Sequence, residues 1–236
     1  ERLFVDLIYR SSRKYPNWDP EISVKVGDYG RITKGSRGLA FWKKAQGTFV
    51  KDGNIYEDDL DKKYDLPQPT EHGADSSEGT TWVTSKNAQE VSLDAKAGGE
   101  TPILAECSVK ASFKFTSGRG AVLAMDNDTI TTIDSPGKLR RLLAESSLKG
   151  SVIVSEVHKC SSYARFLATK GSATVAMGLA MEPPVANVAE AKVDAKWVHT
   201  SSAGNFKSKV NKSGTRTYYP LFRLVSLTES TLSSGM

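Results

Sequence analysis

Histidines, cysteines and paired carboxylates are the side chains best able to do chemistry near neutral pH, and in this 236-residue chain they are few and scattered. His72, His158 and His199 stand far apart, and no two of them have metal-ligand spacing. Cys107 and Cys160 both fall in stretches that read as strands; two such thiols make no disulfide framework and fit a reducing compartment. Neither has the sequence context of a nucleophile, and no G-x-S-x-G is present. The glycines of "VGDYGRITKGSRG" lack the spacing of a phosphate-binding loop. Asp58 and Asp59 are adjacent, but they sit in an acidic run that a solvated face explains. The expectation is no catalytic group, no cofactor, no metal and no enzyme.

The informative spacing is a period of two. From Ile103 to Phe115 every second residue is apolar or small, while Glu106, Ser108, Lys110, Ser112 and Lys114 fall between. Such alternation marks a strand with one apolar and one wet face. Ordinary strands run about five or six residues, whereas a strand that spans a bilayer needs about 9–11. Ala121–Ile133 is expected to run back from the turn "SGRG" at 117–120, giving a first long hairpin region over 88–133. Val152–Thr169 and the alternating "AEAKVDAKW" are expected to pair as a second, over 151–200. If these strands enter a membrane, their lipid-facing residues are Ala105, Cys107, Val109, Ala111 and Phe113 in the first hairpin. In the second they are Ala164, Phe166, Ala191, Val193 and Ala195, with Lys110 and Lys114 turned to a water-filled lumen. Four strands cannot close a barrel, so insertion requires many subunits sharing one sheet.

Around these strands the chain places other elements. Residues 1–14 read as a short basic amphipathic helix, with Leu3, Phe4, Leu7 and Ile8 on one face, Arg2, Arg10, Arg13 and Lys14 around it, and Pro16 ending it. Residues 51–80 are acidic and rich in turn formers, and read as a mobile surface loop. "SPGKLRRLLAESSLKG" predicts a helix over 136–148, with Ser135 as N-cap, Pro136 first, Leu139, Leu142 and Leu143 on one face and Gly150 closing it. A last strand is expected from Tyr218 to Leu227. No run of 18 apolar residues is present. The net charge of +5 is uneven: residues 51–106 carry five basic against thirteen acidic side chains, and 195–228 carry no acid at all. Lys196, Lys207, Lys209, Lys212, Arg216 and Arg223 in that last stretch suit an anionic partner. That partner is either a phospholipid surface or, in a soluble β-rich binding module, nucleic acid or an acidic protein, with Trp197, Phe206, Tyr218 and Tyr219 available for stacking.

This order of basic helix, long hairpin, leucine-bearing basic helix and second long hairpin resembles the pore-forming domain of the gasdermin family. The segment "SVIVSEVHKCSSYARFLATK" is similar to the family's V-x-x-V-T-E-V strand, and "FWKK" at Phe41, Trp42, Lys43 and Lys44 looks like its lipid-touching loop. "VGDYGRI" and "DGNIYED" look more like the short fungal gasdermin-like regulators of cell death, in which incompatible partners trigger killing. The typical animal protein has a second, inhibitory domain released by proteolysis, and this chain stops soon after its last expected strand.

The resemblance implies one α+β domain over 1–236, built on a twisted antiparallel sheet, cytoplasmic when inactive. It implies binding to acidic phospholipid through the basic helix, the 41–44 loop, Arg140 and Arg141. It also implies oligomerisation with itself or with a related allelic variant, a transmembrane β-barrel in the plasma membrane, lytic cell death, and no nucleic-acid partner.

Overall fold

The structure is a computed structural model that describes residues 1–33, 47–73, 79–92, 102–105, 107–169, 174–182, 194–200 and 204–227. Along the chain it forms α1 (Arg2–Ser12), β1 (Tyr15–Pro16), β2 (Asp28–Thr33), β3 (Thr48–Asn54), α2 (Leu60–Lys63), β4 (Thr70–His72), β5 (Thr80–Thr84), β6 (Ala88–Glu90) and α3 (Pro102–Ala105). Then follow β7 (Cys107–Phe115), β8 (Ala121–Asp126), β9 (Thr129–Thr132) and two 3-10 helices, Pro136–Ala144 and Ser146–Leu148. The remainder is β10 (Val152–Cys160), β11 (Ser162–Ala168), β12 (Thr174–Glu182), β13 (Asp194–His199), β14 (Gly204–Val210) and β15 (Tyr218–Ser226). The class is α+β, and every strand pair is antiparallel.

Three sheets divide these strands. A seven-stranded sheet runs β1-β15-β10-β2-β3, with β9 also on β10 and β4 on β9. The two others are β14-β11-β8-β5 and β13-β12-β7-β6. These last two pack face to face over Ala111, Phe113, Phe115, Val122, Ala124, Ala164, Phe166, Ala168, Val175, Met177, Leu179 and Trp197. The opposite face of the β14-β11-β8-β5 sheet is covered by α1, whose fully buried Phe4 and Ile8 meet Ala121, Leu123, Met125 and Tyr163. Helical spacing thus gives α1 its apolar stripe, and burying that stripe on the sheet holds the helix.

The long strands are present, but their partners differ from those expected. Thr129–Thr132 pairs with Glu156–Lys159, Ala121–Asp126 with Ser162–Leu167, and Val109–Lys114 with Thr174–Leu179. Across all three ladders the paired residue numbers keep one constant total, so 109–132 pairs in one register with the described residues 156–169 and 174–179, as a single two-stranded ribbon. The ribbon bends at Asn127 and Ser161, where it leaves the seven-stranded sheet, and folds over at 116–120, where it passes into the third sheet. On its flanks β5 and β6 pair with β8 and β7, while β14 and β13 pair with β11 and β12. "SGRG" is therefore a corner within one long strand and not the tip joining two paired ones. Likewise Asp194–Trp197 does not pair with 152–169, since β13 takes β12 as its partner, and 189–193 lie outside the described residues. The alternation in each strand is satisfied by either arrangement, so it could not choose between them.

Three further expectations change. Ile103–Ala105 belongs to α3, not to the strand. Residues 51–80 are not a loop throughout: the end of β3, α2, β4 and the start of β5 lie there, while 74–78 fall outside the described residues. The leucine-bearing segment is 3-10 and not α-helical, and Ser135 makes no side-chain capping bond. A three-residue turn sets side chains three apart in line, which explains why Leu139, Leu142 and Leu148 are buried together while Leu143 is only partly so.

Candidate functional site

The ribbon carries Val109, Ala111, Phe113, Ala164 and Phe166, while Cys107 lies past its register shift and Ala195 on the flanking β13. At the glycine corner Gly118 has φ +60°, a backbone region glycine reaches without strain. A Cβ on Gly120 would collide with the Phe115 ring, and one on Gly204 with the Phe166 ring. Missing side chains therefore let two rings stack at the fold: Phe115 and Phe166 lie 6.3 Å apart and 8° from parallel. His199 follows at 6.4 Å from Phe166 and 4.2 Å from Phe206. Further along, Trp82 touches Phe113 and Trp197, and the Trp197 indole donates to Ser162 Oγ at 3.2 Å. Between these rings lie the small Ala111, Ala124, Ala164 and Ala168 together with the bulkier Val122, Val175, Met177 and Leu179.

The second bend is built from charge. Asn127 takes φ +53°, and its carbonyl and side-chain oxygens accept from the Arg216 guanidinium at 2.8 and 2.7 Å. Beside it Asp128 accepts from Thr81 at 2.8 Å and from His158 Nδ1 at 3.0 Å. Its other ring nitrogen, Nε2, lies 2.8 Å from Lys14 Nζ and 3.3 Å from the Glu156 carboxylate. Lys14 also pairs with the Glu156 carboxylate, and Arg223 Nε lies 3.3 Å from its other oxygen. Glu156 and His158 are buried, so this is a desolvated network in which each charge needs its partner. Hydrogen bonding from His158, then from Lys14, with the positive charges of Lys14 and Arg223, lowers the Glu156 carboxyl to about 2 in spite of its burial. Burial opposes ionisation of Asp128, but the bonds from His158 and Thr81 outweigh it and hold Asp128 below its ordinary value.

The structure brings much of the expected lipid-facing set together. Ala111, Phe113, Ala164 and Phe166 share the core between the two sheets, with Val109 and Ala195 packed against it. Cys107 does not join them. A register shift between Leu179↔Val109 and Ala180↔Cys107 turns it to the other face, where it packs with Leu104 and Ala176. Ala105 is exposed on α3. Ala191 and Val193 lie outside the described residues, as do Phe41, Trp42, Lys43 and Lys44.

Of the basic residues, Arg2, Arg10, Arg13 and Arg140 are exposed, Arg10 in a 3.0 Å pair with Asp6. Lys14 is drawn into the charged bend, and Arg141 is bonded to the Tyr64 and Asp65 carbonyls and the Asp65 carboxylate. The basic C-terminal stretch is largely engaged within the fold: Lys207 and Lys209 pair with Asp19 and Glu21, Arg216 with Asn127 and Arg223 with Glu156. Trp197 is buried, so it offers no open stacking face. The residues missed by sequence reasoning are Asp128, Glu156, Lys14 as a latch, and strand β12. A hint for Glu156 was a carboxylate and a histidine inside Val152–Cys160, a strand otherwise polar only through Ser155 and Lys159; Asp128, between β8 and β9, had none. Among the described residues no helix is long and apolar enough to cross a membrane.

No protein-family model matches the chain, and no curated protein matches it. Among solved structures it is similar to the cryo-EM structure of the Gasdermin A3 membrane pore, at 14% sequence identity and a TM-score of 0.30, over 94% of this chain and 88% of that chain.

Proposed function

We propose that this chain is a membrane pore-forming protein that binds acidic phospholipid, oligomerises with itself or a related variant, and opens a β-barrel whose permeability kills the cell. One observation supports the reading above the others: a single amphipathic ribbon in constant register, with a partner strand on each edge, is stored folded over on its own apolar face. Straightened from 109 to 126, each central strand has about 18 residues at roughly 3.3 Å each, or about 60 Å. Tilted by about 45°, that exceeds the roughly 25–30 Å apolar band of a bilayer. The corner at 116–120 is the place where straightening occurs, since Gly118 and Gly120 leave the backbone there free to change direction. Binding begins with charge at the exposed Arg2, Arg10, Arg13 and Arg140, each worth about 1 kcal/mol near an anionic surface. The soluble form is cytoplasmic, and the plasma membrane is its target.

The test is dye release from neutral and from anionic vesicles. Release confined to anionic vesicles, with ring-shaped oligomers in the same sample, is the expected result; no release and a monomeric protein in both would overturn it. Replacing Arg2, Arg10 and Arg13 by Gln should weaken sedimentation with anionic vesicles, most at low ionic strength. A charge at Ala111 is not a clean probe of the lipid face, because that position is 5% exposed within the closed core and the monomer itself would suffer.

A further inference from the structure

Residues 2–21 lie across the outer face of the ribbon and touch it in three ways. α1 buries Phe4 and Ile8 on β8 and on Tyr163 of β11. Just past the helix, Lys14 reaches Glu156 and His158 of β10. Beyond that, Trp18 lies over β11, with the Arg165 guanidinium carbon 3.4 Å from its ring centroid, and Asp19 and Glu21 pair with Lys207 and Lys209 of β14.

The last of these contacts is unusual. Arg165 is 5% exposed, and among the described residues its Nε and Nη1 have no hydrogen-bond partner; the buried Tyr163 hydroxyl beside it also has none. Stacking on Trp18 returns part of the loss of solvation, but two unmet donors on a buried cation leave a standing penalty. Burial pushes the guanidinium below its ordinary range, and the pull of Asp19 and Glu1 does not restore it.

We propose that residues 2–21 act as a clasp that opens as one unit, and that the unbonded Arg165 beneath Trp18 is what keeps it near opening. Apolar packing of α1 and the Lys14 latch hold the clasp shut. Opening returns Arg165 to water and uncovers the outer faces of β8 and β11. The clasp is a property of the folded monomer; only its use as the step before insertion rests on the pore reading.

Hydrogen exchange of the full chain, read by mass spectrometry, tests it with Arg165→Met and Lys14→Ala. Methionine keeps packing under Trp18 and removes the unmet donors, so exchange at 2–12 and 162–168 should slow together by roughly tenfold. Lys14→Ala should speed the same two segments by roughly tenfold while 28–33 and 48–54 stay unchanged. Faster exchange in Arg165→Met, independent behaviour of the two segments, or equal speeding of 28–33 by Lys14→Ala would overturn the clasp. Vesicle leakage by the same variants separates the two ideas: leakage that falls with Arg165→Met and rises with Lys14→Ala joins the clasp to the pore. Shifted exchange with no leakage from any variant keeps the clasp and sinks the pore.

Discussion

Of the ribbon's two bends, the corner at Gly118–Gly120 is made of stacked rings and absent side chains, whereas the bend at Asn127 is made of charges held out of water. Ring stacking and volume do not depend on protonation, so the corner should respond to shape alone. The charged bend depends on the Glu156 and Asp128 carboxylates staying ionised, so it should respond to pH and to loss of a single carboxylate. One ribbon therefore carries a steric fold and an electrostatic one, and perturbing each in turn shows whether they are independent.

Phe166→Ala should have the largest effect. It removes a fully buried ring from the corner and should cost about 3–5 kcal/mol in denaturant unfolding, equally at about pH 7 and at lower pH. Glu156→Ala comes next, at about 3 kcal/mol near pH 7, because it leaves Lys14 and Arg223 without their shared carboxylate. Here pH must matter. The Glu156 carboxyl sits at about 2 in the fold, against an ordinary 4.5, so its contribution is complete above about 4.5 and is lost as pH falls through about 2. The gap between the wild type and Glu156→Gln should therefore close over that interval while the Phe166→Ala gap persists; a Gln gap that ignores pH would break the contrast.

Gly204→Ala should cost about 1–3 kcal/mol, since the added methyl meets the Phe166 ring, and pairing it with Phe166→Ala should recover much of that loss. Arg10→Ala should matter least, under about 0.5 kcal/mol, because its pair with Asp6 is exposed and one helical turn long. A larger loss there would mean that α1 is held by charge more than by Phe4 and Ile8.

Local patterns were legible where one physical cause dominates. The spacing of Phe4 and Ile8 specified the stripe of α1, but the helix ends at Ser12, where Arg13 turns left-handed, before Pro16 is reached. Alternation marked β7, β11 and β13 as two-faced, and most of the residues assigned to one face do share a core. The face failed at Cys107, where a bulge shifts register by one residue and so reverses every side chain before it. β12 gave no strand signal because "TVAMGLAM" is a nearly unbroken run of small and apolar residues, without alternation. It is buried on both faces, between the sandwich core and the Leu104 of α3. The charged bend was invisible for another reason. Lys14, Asp128, Glu156 and Arg223 are far apart in the chain, and each alone looks like a solvated side chain.

By itself the sequence determined the α+β class, the basic helix and strands long enough to cross a bilayer, because period and length are properties of a contiguous segment. Only the tertiary structure decided which strand pairs with which, that the apolar face is stored inward, that Lys14 meets Glu156, and that two Arg165 donors are buried without a partner. Each of these depends on a partner supplied from elsewhere in the chain, and alternation along one strand carries no record of its neighbour.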